Sequence, residues 1–114
     1  MKLVTAIFKP SRLDAVIDAL GEADVSGLTV SEVRGYGRQQ GKTEVYRGAE
    51  YEVRLLPKVK VEVACGASEA ERVVEAITAA ANTGTIGDGK VFVTDLETIV
   101  RIRPGERNEQ AIGT

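Results

Sequence analysis

The residues whose types and spacing could do chemistry are glycines beside cations. In "GTIGDGKV" (84–91), Gly87 and Gly89 can expose successive backbone N–H groups as an anion-binding concavity, and Lys90 adds a point charge. In "VRIRPG", Arg101 and Arg103 stand two apart, so on a strand they share one face, and two guanidiniums side by side suit a polyphosphate. Neither stretch is a standard nucleotide motif. "GTIGDGKV" fits G-x-x-x-x-G-K, but Val91 replaces the Ser or Thr that would meet magnesium, and the segment runs from a helix into a strand. "GYGRQQG" (35–41) approaches G-x-G-x-x-G but has Gln40 in the sixth position and opens no helix. Taken singly, these stretches read as tight turns and a solvated basic edge. Together, in a chain of net charge −2, they favour an anion site.

Composition narrows what such a site could do. The chain has 114 residues, 43% hydrophobic and 28% charged, which is one domain with a modest core. It contains no histidine, so the commonest general base and the commonest metal ligand are missing. That argues against a hydrolase or a zinc enzyme. The net charge gives no pull toward nucleic acid or an anionic membrane. No apolar run approaches a membrane span and "MKLVTAIFKP" lacks a signal-peptide core, so a cytoplasmic location is expected, with no insertion into a membrane. Cys65 is the lone cysteine and reads as a buried, inert thiol.

The elements that must position these residues repeat one grammar. "KLVTAIF" (2–8) reads as a strand covered on both faces and stopped by Pro10. Ser11 and Asp14 have capping-box spacing, and Leu13, Val16, Ile17 and Leu20 form one helical stripe. Leu28 and Val30 begin a second strand, "LTVSEV" (28–33), in which Glu32 breaks the alternation and allows a bulge. In "KVKVEV" (58–63), Val59, Val61 and Val63 face in while Lys58, Lys60 and Glu62 face out. Ser68 and Glu71 repeat the cap, followed by the stripe Ala70, Val73, Val74, Ile77 and Ala81; "KVFV" and "ETIVRIR" supply one or two closing strands. The order β-α-β, long insert, β-α-β predicts an α+β fold of ferredoxin-like type, with both helices on one face of an antiparallel sheet. The other, partly apolar face needs a partner, and self-association is the simplest supply.

"YRGAEY" (46–51), "TGTIGDGKVFV" (83–93), "GYGRQQGKTEVYRGAEY" and "IVRIRPGER" give the chain a resemblance to the PII signal-transduction proteins over essentially residues 1 to 112. The resemblance implies a single PII-like domain (1–114), a homotrimer, a partner-docking T-loop at about 37–55 and a flexible C-terminal tail at about 104–114. It implies a sensor and regulator of nitrogen metabolism that is not an enzyme, with ATP or ADP bound between subunits and 2-oxoglutarate held beside Mg2+ and ATP. Thr29, Gly35 and Ala64 would lie around adenine and ribose, and Gly37 and Arg38 would close on the nucleotide. Gly87, Asp88, Gly89 and Lys90, with Arg101 and Arg103, would hold phosphates. Gln39 would coordinate the magnesium and Lys58 would pair with a carboxylate of 2-oxoglutarate; without the resemblance, Lys58 reads as a solvated strand charge. Tyr51, unlike Tyr46, would be the site of uridylylation or adenylylation. Implied partners are an ammonium channel, a nucleotidylyltransferase or a biosynthetic enzyme, and no nucleic acid.

Thr85 stands where many members have lysine, Arg54 where an acidic residue is frequent, Lys42 and Ser11 are unusual choices, and Ala64 offers little side chain. These departures bear on affinity and on target choice. Two readings from other classes are weaker. An acylphosphatase-like enzyme lacks a matched nucleophile and base. An RNA-recognition domain needs aromatics on its central strands, and "KVKVEV" and "KVFV" together offer only Phe92.

Overall fold

Alternation of apolar and polar residues builds the sheet, and two apolar stripes at helical spacing cover it. The computed structural model describes residues 1–37, the backbone of 43–46 and 49–52, and residues 55–113. The elements are β1 (Lys2–Phe8), α1 (Leu13–Glu22), β2 (Thr29–Gly35), β3 (Thr43–Tyr46), β4 (Ala49–Glu52), β5 (Leu56–Cys65), α2 (Ala70–Ala81) and β6 (Gly89–Asp95). The main sheet has the order β2-β5-β1-β6, with every adjacent pair antiparallel. β3 and β4 form a separate two-stranded ribbon, in which Glu44 pairs with Tyr51 and Tyr46 with Ala49.

The register places like with like. Val4 lies between Val63 and Val93, Ala6 between Val61 and Val91, and Phe8 between Val59 and Gly89. Val4, Ala6, Phe8, Val59, Val61 and Val63 meet Val16 and Leu20 of α1 and Val73 and Ile77 of α2 in one buried cluster, with Val91 packed against it, whereas Val93 on the edge strand stays exposed. Full burial of side chains such as Phe8, Leu20 and Ile77 contributes about 1.5–3 kcal/mol each. Cys65 belongs to the same cluster, and burial, reinforced by the Glu69 charge, pushes its thiol pKa up.

Several local expectations are corrected. β1 is buried on one face only, its other face being partly exposed, so the apolar run reflects an open face rather than a second cover. Each helix is entered through a 3-10 turn (Pro10–Arg12 and Ala67–Glu69), and neither receives a side-chain cap, because the turn moves the helix start beyond Ser11 and Ser68. Glu32 makes no bulge: β2 pairs with β5 without interruption from Thr29↔Glu62 to Gly35↔Leu56. "ETIVRIR" adds no ladder strand; one isolated bridge joins Val100 to Arg107. Apart from these corrections, the segment 104–114 includes a 3-10 turn, Asn108–Ala111, whose Ala111 is buried, and Gly113 (φ +96°) passes so close to Ser26 that a Cβ there would lie 2.4 Å from its Oγ.

Candidate functional site

At one end of the sheet, the open face and the α2–β6 connection enclose a cleft of about 680 Å³. Gly35, Gly37, Lys58, Gly87, Gly89 and Lys90, all singled out in the sequence, line it, and Ile7, Tyr36, Leu56, Ile86 and Phe92 supply apolar walls. The backbone can come this close because of glycine. Gly89 has φ +110°, and a Cβ on it would sit 1.8 Å from the Ile7 carbonyl oxygen. Gly87 has φ +93°, in the left-handed region that glycine enters without strain.

The loop between α2 and β6 is held from two sides. On one side, Lys58 Nζ donates to the Gly87 carbonyl at 2.7 Å. Burial, then the nearby Lys9 charge, lowers the Lys58 pKa, while Asp88 opposes the shift. On the other side, Asp88 accepts from the Thr83 N–H (2.8 Å), the Gly84 N–H (3.0 Å) and the Thr83 hydroxyl, and pairs with Lys9 at 3.3 Å. These donors, the Thr83 hydroxyl first, hold its carboxyl far below the usual range. The Asp88 side chain is therefore turned onto its own loop, and the charged side chains that line the cleft are those of Lys58 and Lys90. Thr85 does more than remove a cation: its hydroxyl meets Lys9 Nζ and lies 2.7 Å from the Thr83 hydroxyl. Sequence reasoning gave Lys9 no role, although a lysine immediately after an inward strand and before Pro10 was the available signal.

The remaining described candidates sit at the opposite end. Thr29 is six residues from Gly35 along β2, about 20 Å away. Ala64 is six residues beyond Lys58 on β5, next to the Met1 end of β1. The segment after β6 leaves the sheet at that same end, where the Leu96 N–H donates to the Met1 carbonyl at 3.0 Å. It carries Arg101 and Arg103, which do not lie on a ladder strand but converge on Glu106: Arg101 Nε reaches Oε2 and Arg103 Nη2 reaches Oε1, each at 2.6 Å. Those bonds, Arg103 first, hold the Glu106 carboxyl below its usual range. Between the arginines, Ile102 is fully exposed. Arg38, Gln39, Lys42 and Arg54 lie outside the described residues, as do the side chains of Tyr46 and Tyr51.

A four-stranded antiparallel sheet backed by two helices, with a glycine-and-lysine cleft at one end and paired arginines on the segment that leaves the other, defines an α+β domain of ferredoxin-like topology. The chain belongs to the P-II family: the family profile "Nitrogen regulatory protein P-II" matches residues 1–106. It is similar to the nitrogen regulatory protein P-II of Azospirillum brasilense (57% identical over 112 residues, 98% of this chain and 100% of the relative). The P-II protein of Pasteurella multocida is 54% identical, and the nitrogen regulatory protein GlnK of Escherichia coli is 52% identical, each over the same shares of the two chains. This is a family of regulatory proteins rather than enzymes.

Proposed function

We propose that this protein is a nitrogen-regulatory signalling protein that senses ATP or ADP together with 2-oxoglutarate, works as a homotrimer, and acts on its targets through the segment 37–55. The observation that carries the reading is the separation of the candidate residues into two half-sites. Gly35, Gly37, Lys58, Gly87, Gly89 and Lys90 lie at one end of the sheet, and Thr29, Ala64, Arg101 and Arg103 lie toward the other. A nucleotide that touches both sets needs the cleft of one copy and the arginine end of a neighbour. Both halves also carry exposed apolar residues, among them Tyr36, Ile86 and Phe92 on one and Val100 and Ile102 on the other, which such an assembly would cover.

The donor set fits a magnesium nucleotide. Glycine amides and the ammonium groups of Lys58 and Lys90 suit phosphate and carboxylate oxygens, and no cluster of His, Cys, Asp or Glu able to hold a metal occurs among the described residues. Mg2+ would then ride on phosphate and 2-oxoglutarate oxygens, with Gln39 as the protein ligand, as suits an ion that keeps few protein ligands. Lys58 would leave the Gly87 carbonyl for a carboxylate of 2-oxoglutarate. Tyr51 would accept a uridylyl or adenylyl group, altering the docking segment by charge and bulk. Targets would be an ammonium channel, a nucleotidylyltransferase or a biosynthetic enzyme of nitrogen metabolism, met in the cytoplasm.

Calorimetry tests this directly. 2-Oxoglutarate should bind more tightly with Mg-ATP than with ADP, with a coupling on the order of 1–3 kcal/mol. Lys58→Ala should abolish the 2-oxoglutarate heat and leave ATP binding largely intact. Equal 2-oxoglutarate binding without nucleotide would refute the shared site.

A further inference from the structure

We propose that Lys9 is a positioning residue for the nucleotide cleft: it holds the loop 83–89 in its anion-ready shape through Thr83, Thr85 and Asp88, without touching the anion. The proposal rests on reading the cleft as a phosphate site. Lys9 follows β1 directly and opens the Pro10–Arg12 turn. Its ammonium group donates to the Thr83 hydroxyl (3.2 Å) and the Thr85 hydroxyl and pairs with the Asp88 carboxylate (3.3 Å). A lysine has three donors, and here three loop oxygens match them, leaving nothing for a phosphate. The pair is largely shielded, with side chains 21% and 24% exposed, so it is worth more than a solvated surface contact.

The same corner holds the helix that feeds the loop. Arg12 donates from both Nε and Nη2 to the Ala80 carbonyl, at 2.9 and 2.7 Å, in the last turn of α2. One short turn thus fixes where α2 ends and how the chain continues from it to Gly87 and Gly89. The division of labour between the two lysines follows from what each touches. Lys58 grips the loop by one carbonyl and lines the cleft, so a ligand can recruit it. Lys9 grips it by three side chains outside the cleft's lining, so it can keep the loop in place when Lys58 is drawn away.

The test uses the full-length protein. The Thr83 and Gly84 amides, both of which donate to Asp88, are followed by hydrogen exchange without ligand, and ATP affinity is measured in parallel. In Lys9→Met, both amides should exchange about threefold to tenfold faster and ATP should bind more weakly by a similar factor, whereas Lys9→Arg should recover both. Thr85→Val, which keeps the volume and removes one acceptor, should move both readouts the same way by less, and it serves if Lys9→Met does not fold. Unchanged exchange with weakened ATP binding would make Lys9 a direct phosphate contact and overturn the positioning role. Faster exchange with unchanged ATP binding would overturn it equally. A wild-type protein that binds no ATP would instead remove the nucleotide reading on which the proposal stands.

Discussion

Asp88 shows how far a single side chain can depart from the role its neighbours suggest. It stands between two glycines of the loop proposed to hold an anion, yet its carboxylate is spent on Thr83, Gly84 and Lys9. Its pKa in the folded protein lies far below that of the unfolded chain, so the stability it contributes is fully present above the unfolded value, near pH 4, and is lost as pH falls further. Asp95, held down by Lys2, and Glu106, held down by Arg103 and Arg101, act in the same sense. Thermal unfolding followed from pH 7 downward should therefore show little change until about pH 4 and then a steepening loss. Asp88→Asn should lower the plateau and flatten the acid limb, and an acid limb identical to wild type would contradict this assignment. At the core, Leu20→Ala should cost about 2–5 kcal/mol, measured by denaturant titration, because the side chain is fully enclosed between α1 and the sheet.

At the scale of elements, the contact between β6 and β1 depends on Gly89. With φ +110° and the Ile7 carbonyl where a Cβ would go, Gly89→Ala combines backbone strain with overpacking against main chain. The expected cost is about 2–4 kcal/mol, with cleft binding lost before the fold. A stability within experimental error of wild type would mean that β6 can shift along β1. The same contacts explain what could be read from the residues. Val59, Val61 and Val63 announced β5, and the stripes of α1 and α2 announced the helices, because burial on one face imposes a period that composition displays. Ile17 belongs to a stripe and is still exposed on the structure, since periodicity names a face but not its neighbour. The entry turns at Pro10–Arg12 and Ala67–Glu69 were illegible because a capping box and a 3-10 turn share the same residues. Of the site, the glycines and Lys90 were legible as chemistry. The grip of Lys9 was not, because it joins residues some 75 positions apart, and no local pattern encodes that meeting.

For the whole molecule, the two half-sites set the expected assembly. Light scattering on the purified protein should give close to three times the 12.2 kDa chain mass, and a monodisperse monomer at micromolar concentration would contradict the proposed trimer. A double variant lacking both arginines, Arg101→Ala with Arg103→Ala, mixed with Lys90→Ala should restore a fraction of functional sites in mixed trimers, read as recovered ATP binding, which neither variant shows alone. The placement of β1 carries a separate consequence, for how the chain comes into being. β1 is made first, but its neighbours are β5 and β6, and β2 reaches it only across β5. During synthesis the first 37 residues therefore have no sheet to join until β5 has left the ribosome, so nascent folding waits on the second half and its rate is governed by distant pairings. The same interlock makes the covalent link between the halves dispensable in principle. Residues 1–37 and 55–114, produced as two chains, should stay unfolded apart and assemble on mixing, with a far-ultraviolet circular dichroism signal that neither fragment gives alone.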